Sequence, residues 1–205
     1  MLHTLMHFKR HAPIDFEIAV ITINPQSEDF DPSPLKAYMQ QLGLDYHFIS
    51  EPIVELAGKH MKKDSFCAFC SRMRRGLMYK TARTAGYNVL ALGQHLDDLA
   101  ESFLMSALHG GHLQTMKAHY VNNEGDVRVI RPFVYVREMM LREFADTSEL
   151  PVIEDNCPAC FAKPSQRHKM KQILTQQESE YPNTYKSLLS TMKPLMSIGL
   201  DEATA

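Results

Sequence analysis

No stretch of this chain approaches the roughly 18 uninterrupted apolar residues that a membrane-spanning helix needs, and the opening Met1-Leu2-His3-Thr4-Leu5-Met6 lacks the basic and apolar segments of a secretory leader. An intracellular, cytoplasmic protein without a membrane partner is the expectation. Neither a Gly-x-Ser-x-Gly segment nor a Ser/His/Asp arrangement is present, so a hydrolase of that kind has no support. No internal repeat or low-complexity tract interrupts the sequence. Charge of one sign is not in excess either: 22 Lys and Arg stand against 24 Asp and Glu, a formal net charge of −2. That balance excludes no partner, because the basic residues are clustered while the acidic ones are scattered. At 205 residues and 44% hydrophobic composition, the chain is long enough for one domain with its own core, and needs no covalent staple.

Cysteine is sparse, and none is left over. All four fall in two Cys-x-x-Cys pairs, Cys67/Cys70 and Cys157/Cys160. In a reducing compartment such pairs read as metal ligands or catalytic thiols rather than disulfides. Two thiolates in one turn grip a soft cation, so two pairs offer up to four sulfurs for zinc or an iron–sulfur cluster. A zinc ribbon would set its second pair about 15–20 residues after the first. Here a long stretch of α/β pattern intervenes, so the fold must bring the pairs together.

Met1 to His11 carries Leu2, Leu5 and Met6 at helical spacing, and Pro13 stops it before the β-rich run Phe16 to Ile23. A Pro/Asp/Ser loop over 24–34 leads to a short helix, Leu35 to Leu42, closed by Gly43, then to a strand over Asp45 to Ser50. Lys59, His60, Lys62 and Lys63 read as a solvated loop. A helix opened by Cys67 and Cys70 runs to Ala85 and Gly86, followed by a buried strand, Asn88 to Leu92, and a helix from Asp97 to His109 ended by Gly110-Gly111. Beyond it, His119 to Asn122 and Val127 to Ile130 flank a hairpin turn at 123–126. Arg137 to Thr147 is helical, Pro151 to Glu154 reads as a short strand, Ser165 to Glu180 as a polar helix and Tyr185 to Met192 as another, with a frayed end at 201–205. Such alternation predicts an α/β fold, a doubly wound and mostly parallel sheet covered on both faces.

Ligands collect at the carboxyl ends of strands in such sheets, which draws attention to Gly93-Gln94-His95-Leu96-Asp97-Asp98 and to Glu101 on the helix that follows. Gly93 lets backbone approach a ligand, His95 can donate to a phosphate, and Asp97 and Asp98 can hold Mg²⁺ through oxygen. The plainer reading of the same residues is an Asp N-cap with a solvated first turn. Near the first cysteine pair, Arg72 and Arg75 fall roughly on one side of a helix, where they could lower a thiol pKa, seat phosphates, or simply be solvated. A second basic run, Lys163, Arg167, His168, Lys169 and Lys171, follows the second pair. Two basic segments flanking one cysteine site form an electrostatic footprint for a polyanion such as RNA. Thirteen methionines read as core filling.

Several of these segments resemble the PP-loop ATPase tRNA thiolases, specifically the 2-thiocytidine synthetase branch. The resemblance is carried by Cys67-Ala68-Phe69-Cys70-Ser71-Arg72-Met73-Arg74-Arg75-Gly76, Leu92-Gly93-Gln94-His95-Leu96-Asp97-Asp98, Gly110-Gly111, Val129-Ile130-Arg131-Pro132 with Arg137-Glu138, and Asn156-Cys157-Pro158-Ala159-Cys160, and spans about Met1 to Met196. It implies the adenine-nucleotide α-hydrolase-like fold in a single domain over 1–205, with a helical, basic C-terminal extension at about 161–196. It further implies an enzyme that activates a tRNA base with ATP and replaces its oxygen with sulfur, using a [4Fe-4S] cluster held by three cysteines. Carried over, the ligands are Cys67, Cys70 and Cys157, which leaves one iron open for the sulfur and Cys160 as a non-ligand. His95, Asp97, Asp98 and Gly93 then belong to the ATP and Mg²⁺ region, and Arg72, Arg75, Arg167 and Lys169 are the weaker candidates for RNA phosphates. The implied partners are tRNA, a sulfur donor such as a cysteine desulfurase, and a second copy in a homodimer.

One segment of the family pattern is not here. Its ATP-binding loop, Ser-Gly-Gly-Lys-Asp-Ser, follows a first strand and precedes the helix that Met1 to His11 resembles, and the 205 residues contain no such segment. A glycine-rich loop at a helix N-terminus supplies the backbone N–H groups that cradle phosphates. The expectation is a missing start that would carry strand and loop. The alternatives are an inactive remnant that keeps a structural Cys₄ zinc site and some RNA affinity, and, more remotely, a thiol redox protein using one Cys-x-x-Cys pair.

Overall fold

Strand and helix alternate from Met1 onward in the structure, a computed structural model that describes residues 1–27, 30–60, 66–153 and 165–197. Lys62, Lys63, Glu154, Cys157, Cys160, Lys163 and residues 201–205 lie outside the described residues. The chain falls into two compact units, one built on Met1–Gly86 and one on Tyr87–Ser148 with the helices that follow residue 165.

In the first unit the order is α1 (Leu2–His11), β1 (Ala19–Asn24), α2 (Ser33–Leu42), β2 (Asp45–Ser50), α3 (Ile53–His60) and α4 (Phe66–Thr84). Strands β1 and β2 pair in parallel, from Ala19 opposite Asp45 to Asn24 opposite Ser50. Parallel neighbours need a crossover, and α2 supplies it. That helix stops where Gly43 takes a left-handed conformation, φ 62°, and its N–H returns to the last turn. The solvated loop expected around Lys59 is instead the end of α3. Its signal is local: Ile53 and Ala57, four residues apart, are both fully buried, and Glu55 pairs with Lys59 on the outer face.

The second unit contains β3 (Val89–Ala91), α5 (Leu96–Gly110), β4 (His119–Val121), β5 (Arg128–Ile130), α6 (Glu138–Thr147), α7 (Gln166–Glu180) and α8 (Thr184–Met196). Strand β5 is central, parallel to β3 and antiparallel to β4. The β4–β5 turn is organised by Asn122, whose side-chain Oδ1 accepts from Asp126 N–H at 3.0 Å and Val127 N–H at 3.1 Å, while Gly125 supplies the positive φ of 77°. The strand expected over Pro151 to Glu154 does not form in its described part: residues 151–153 are irregular, and Val152 N–H bonds to the Leu150 carbonyl instead of a neighbouring strand.

One apolar core holds this unit together. Leu96, Leu99, Ala100 and Phe103 on α5 meet Leu174 of α7, Tyr185, Met192 and Met196 of α8, and Val134. Helix α7 is polar almost all round, yet Met170 and Leu174, four apart, are buried. No helix among the described residues is long and apolar enough to cross a membrane.

Candidate functional site

The site is assembled where β3 gives way to α5. Leu92 N–H still bonds to the Ile130 carbonyl at 2.9 Å, so the chain leaves the sheet only at Gly93. Open space lies beside the Gly93 Cα, as a backbone surface for a ligand requires. Arg131, itself buried, fixes the next residue: its Nε donates to Gln94 Oε1 at 3.0 Å and its Nη1 to the Lys117 carbonyl at 2.7 Å.

His95, not an aspartate, is the N-cap of α5. Its Nδ1 accepts from Asp98 N–H at 3.4 Å, and its own N–H donates to Asp98 Oδ2 at 3.0 Å, which closes a capping box. An Nδ1 that accepts leaves the ring proton on Nε2. Nor is the first turn solvated throughout, since Asp97 is only 6% exposed. Its Oδ2 accepts from Glu138 N–H at 2.7 Å and its Oδ1 from Arg137 Nε at 3.2 Å. Arg137 then reaches Glu178 with both terminal nitrogens, at 2.5 and 2.9 Å, and lies 3.4 Å over the centre of the Tyr185 ring. Burial works against the Arg137 charge, but the bonds to Glu178 and the nearby Asp97 carboxylate hold its pKa above the ordinary value. Burial first, and the charge of Asp97 second, push the Tyr185 hydroxyl up.

Asp98 and Glu101 face the other way, into a pocket of about 270 Å³ lined also by His95, Glu138, Ser165, Arg167, His168 and Lys171. Arg167 Nε donates to Glu101 Oε2 at 2.7 Å, and its Nη2 lies 3.2 Å from Asp98 Oδ1. Lys171 donates to Glu138 Oε2 at 2.5 Å, and Arg142 to Glu138 Oε1 at 2.9 Å. Two carboxyls in this one pocket move in opposite directions. Burial raises Glu101 despite its bond from Arg167, whereas for Glu138 burial is outweighed by the hydrogen bonds from Lys171 and Arg142, which hold it low. Such a pocket offers oxygen donors to a hard cation and, once a ligand takes over those carboxylates, two cationic side chains to an anion.

Cys67 and Cys70 stand three residues apart in the first turns of α4, Cys67 exposed and Cys70 partly so. Residues three apart share a helix face, so the two thiols can reach one metal centre. They are two of the three cluster ligands that the resemblance implies; the third, Cys157, lies outside the described residues, as do Cys160 and Lys163. Among the described residues, no group of three or more His, Cys, Asp or Glu side chains could hold a metal ion. Arg72 and Arg75 are exposed on α4 and Lys169 on α7, as a phosphate contact requires. Arg167 is drawn into the acidic pocket instead. Glu178 and Tyr185 escape sequence reasoning because each is an ordinary helical residue until α7 and α8 fold against α5.

The PP-loop domain family matches residues 2–176, a span that runs through both units. A tRNA-cytidine(32) 2-sulfurtransferase from Geobacter sulfurreducens is 34% identical over 193 residues, covering 94% of this chain and 75% of its own length. A protein of the same name from Aliivibrio fischeri (strain MJ11) is 32% identical over 195 residues, 94% of this chain and 63% of its own. Among solved structures, the U34-tRNA thiolase NcsA from Methanococcus maripaludis with its [4Fe-4S] cluster aligns with a TM-score of 0.76 at 20% identity, covering 96% of this chain and 66% of that one. The chain therefore spans between under two thirds and three quarters of the length of these proteins. The likeness to NcsA establishes the α/β fold with its parallel strand pairing.

Proposed function

The chain belongs to the PP-loop domain family, with tRNA-cytidine(32) 2-sulfurtransferases as its relatives, and we propose that it serves ATP-dependent tRNA thiolation, the transfer of sulfur to a cytidine of the anticodon loop. The observation that carries this reading is the 34% identity over 94% of the chain. Two features of the molecule support it. Cys67 and Cys70 present two thiols from one helix face, and the α5 start presents His95 and Asp98 at a charged pocket.

In this reading Cys67 and Cys70, with Cys157, would hold a [4Fe-4S] cluster. When bound, the cluster supplies an iron position not taken by protein sulfur, where the sulfur to be transferred can be held. ATP would adenylate the cytidine oxygen with release of pyrophosphate, and sulfide-level sulfur would then attack the same carbon and expel that oxygen as AMP, with no change of oxidation state. His95 and Asp98 face the ligand with Gly93 beside them, while Asp97 holds the turn in place from behind. Exposed Arg72, Arg75 and Lys169 contribute phosphate contacts to tRNA, and Arg167 contributes once its acidic partners engage a cation. A sulfur donor such as a cysteine desulfurase and a homodimeric state complete the proposal.

The test is anaerobic purification followed by metal analysis and mass spectrometry of tRNA hydrolysates. Roughly four irons per chain and 2-thiocytidine formed in an ATP-dependent way are expected. Stoichiometric zinc with no iron after anaerobic reconstitution would overturn the cluster assignment. Because the 205 residues contain no Ser-Gly-Gly-Lys-Asp-Ser segment, they should bind Mg-ATP weakly alone and tightly once a strand and loop of that form are joined ahead of α1. Tight binding by the 205 residues unaided contradicts this account of the phosphate site.

A further inference from the structure

A second, smaller arrangement of metal-ligating side chains lies on α1. His7 and His11 are four residues apart, hence neighbours on the helix surface. Both are exposed, and their rings stack with centroids 4.2 Å apart and planes 25° from parallel. His11 Nδ1 lies 2.8 Å from the His7 carbonyl oxygen. A carbonyl can only accept, so Nδ1 carries the proton and the Nε2 lone pair is left to a ligand. This is the tautomer that metal-bound histidines take when the other ring nitrogen donates to backbone. His11 is also the last residue of α1, where the helix dipole favours a cation. Lys9 and Arg10 in the same turn oppose it, although Lys9 is paired with Glu17 at 2.6 Å. His3, one turn further back, is committed elsewhere, its Nε2 lying 2.7 Å from Tyr38 Oη.

We propose that His7 and His11 together chelate a divalent cation of the zinc class, with water completing the coordination. Imidazole selects such cations over Mg²⁺ and Ca²⁺, which demand oxygen. Two protein ligands make the site weaker than a closed four-ligand zinc site, and it is independent of the thiolation reading. One practical consequence is that metal analysis of this protein counts zinc on α1 in addition to whatever the cysteines hold.

The experiment is calorimetric titration of the full chain with ZnCl₂ after its four thiols are blocked with N-ethylmaleimide. One Zn²⁺ per chain is expected, with affinity reduced about tenfold or more in both His7→Gln and His11→Gln and unchanged in His3→Gln. Zinc should also raise the melting temperature of the thiol-blocked chain, and not that of His7→Gln. Affinity equal in wild type, His7→Gln and His11→Gln, or no zinc binding by the thiol-blocked wild type, overturns the proposal.

Discussion

The first turn of α5 and the first turns of α4 both carry candidate functional side chains, but they are built in opposite ways. At α5 each acidic group is answered from another element: Asp97 by Arg137, Asp98 and Glu101 by Arg167, and Glu138 by Lys171. At α4, Cys67 stands exposed with a second thiol three residues on. A buried carboxylate without a partner costs several kcal/mol, so a charged pocket must be satisfied by the protein before any ligand arrives. Thiols carry no such demand, and a cluster can organise them when it binds. The contrast separates residues whose loss unfolds the site from residues whose loss leaves the fold intact and ends the chemistry.

The largest effect should come at α4. Cys67→Ala and Cys70→Ala are each expected to abolish iron binding and 2-thiocytidine formation while changing unfolding free energy by less than about 0.5 kcal/mol. Cys160→Ala should retain the iron. Equal loss in all four single cysteine variants would point to a closed Cys₄ site of the structural zinc type. Arg137→Met sharpens the other side of the comparison. It takes the cationic partner from the buried Asp97, which keeps only neutral donors such as Glu138 N–H, and frees Glu178, so urea denaturation should show a loss of about 3 kcal/mol. A loss under about 0.5 kcal/mol would remove Arg137 from the scaffold.

Asp97 and Asp98 divide the two behaviours between neighbours. Asp98→Asn weakens a capping box, worth about 1 kcal/mol, but should lower thiolation turnover at least about tenfold in a chain that binds ATP. Asp97→Asn should cost more in stability than Asp98→Asn, and a reversed order in the two denaturation curves would exchange the roles assigned to them.

The two oppositely shifted carboxyls give a pH test. Glu138 is held below the ordinary 4.5 by Lys171 and Arg142, so its contribution is present at neutral pH and is lost as pH falls below about 4.5. Glu101 lies above 4.5, so the folded state holds its proton the tighter, and stability declines as pH rises from about 4.5 toward its folded pKa. Glu138→Gln should flatten the acid-side fall, and Glu101→Gln the decline above it, in urea titrations across that range. The same slope from both variants would show that one shift has the wrong sign. Smallest of all, Arg72→Gln and Arg75→Gln should each weaken tRNA binding only a few-fold and reduce its salt dependence by about one counterion.

Much of this protein was determined by local chemistry and is legible without coordinates. Gly43 and Gly111 end helices and Gly125 makes a turn through positive φ, the β2 bounds follow from the run Asp45 to Ser50, and the paired cysteines announce a thiol site. These depend on neighbours within a few residues, which is the range a single sequence reports. Helix α3 escapes the sequence reading although its signal is local: Ile53 and Ala57 share a face, but Lys59 and His60 at its end read as loop with the lysines that follow. The division of labour between Asp97 and Asp98 was decided only in three dimensions. Adjacent residues on a helix point about 100° apart, so one carboxylate meets Arg137, Glu138 and the Tyr185 face while the next enters the pocket, and nothing in the pair Asp97-Asp98 says which is which. Arg137 and Glu178 are separated by 40 intervening residues, and their bidentate contact exists because α7 and α8 bury Leu174, Tyr185 and Met192 against α5. Apolar burial set that packing, and the packing then dictated which charges meet.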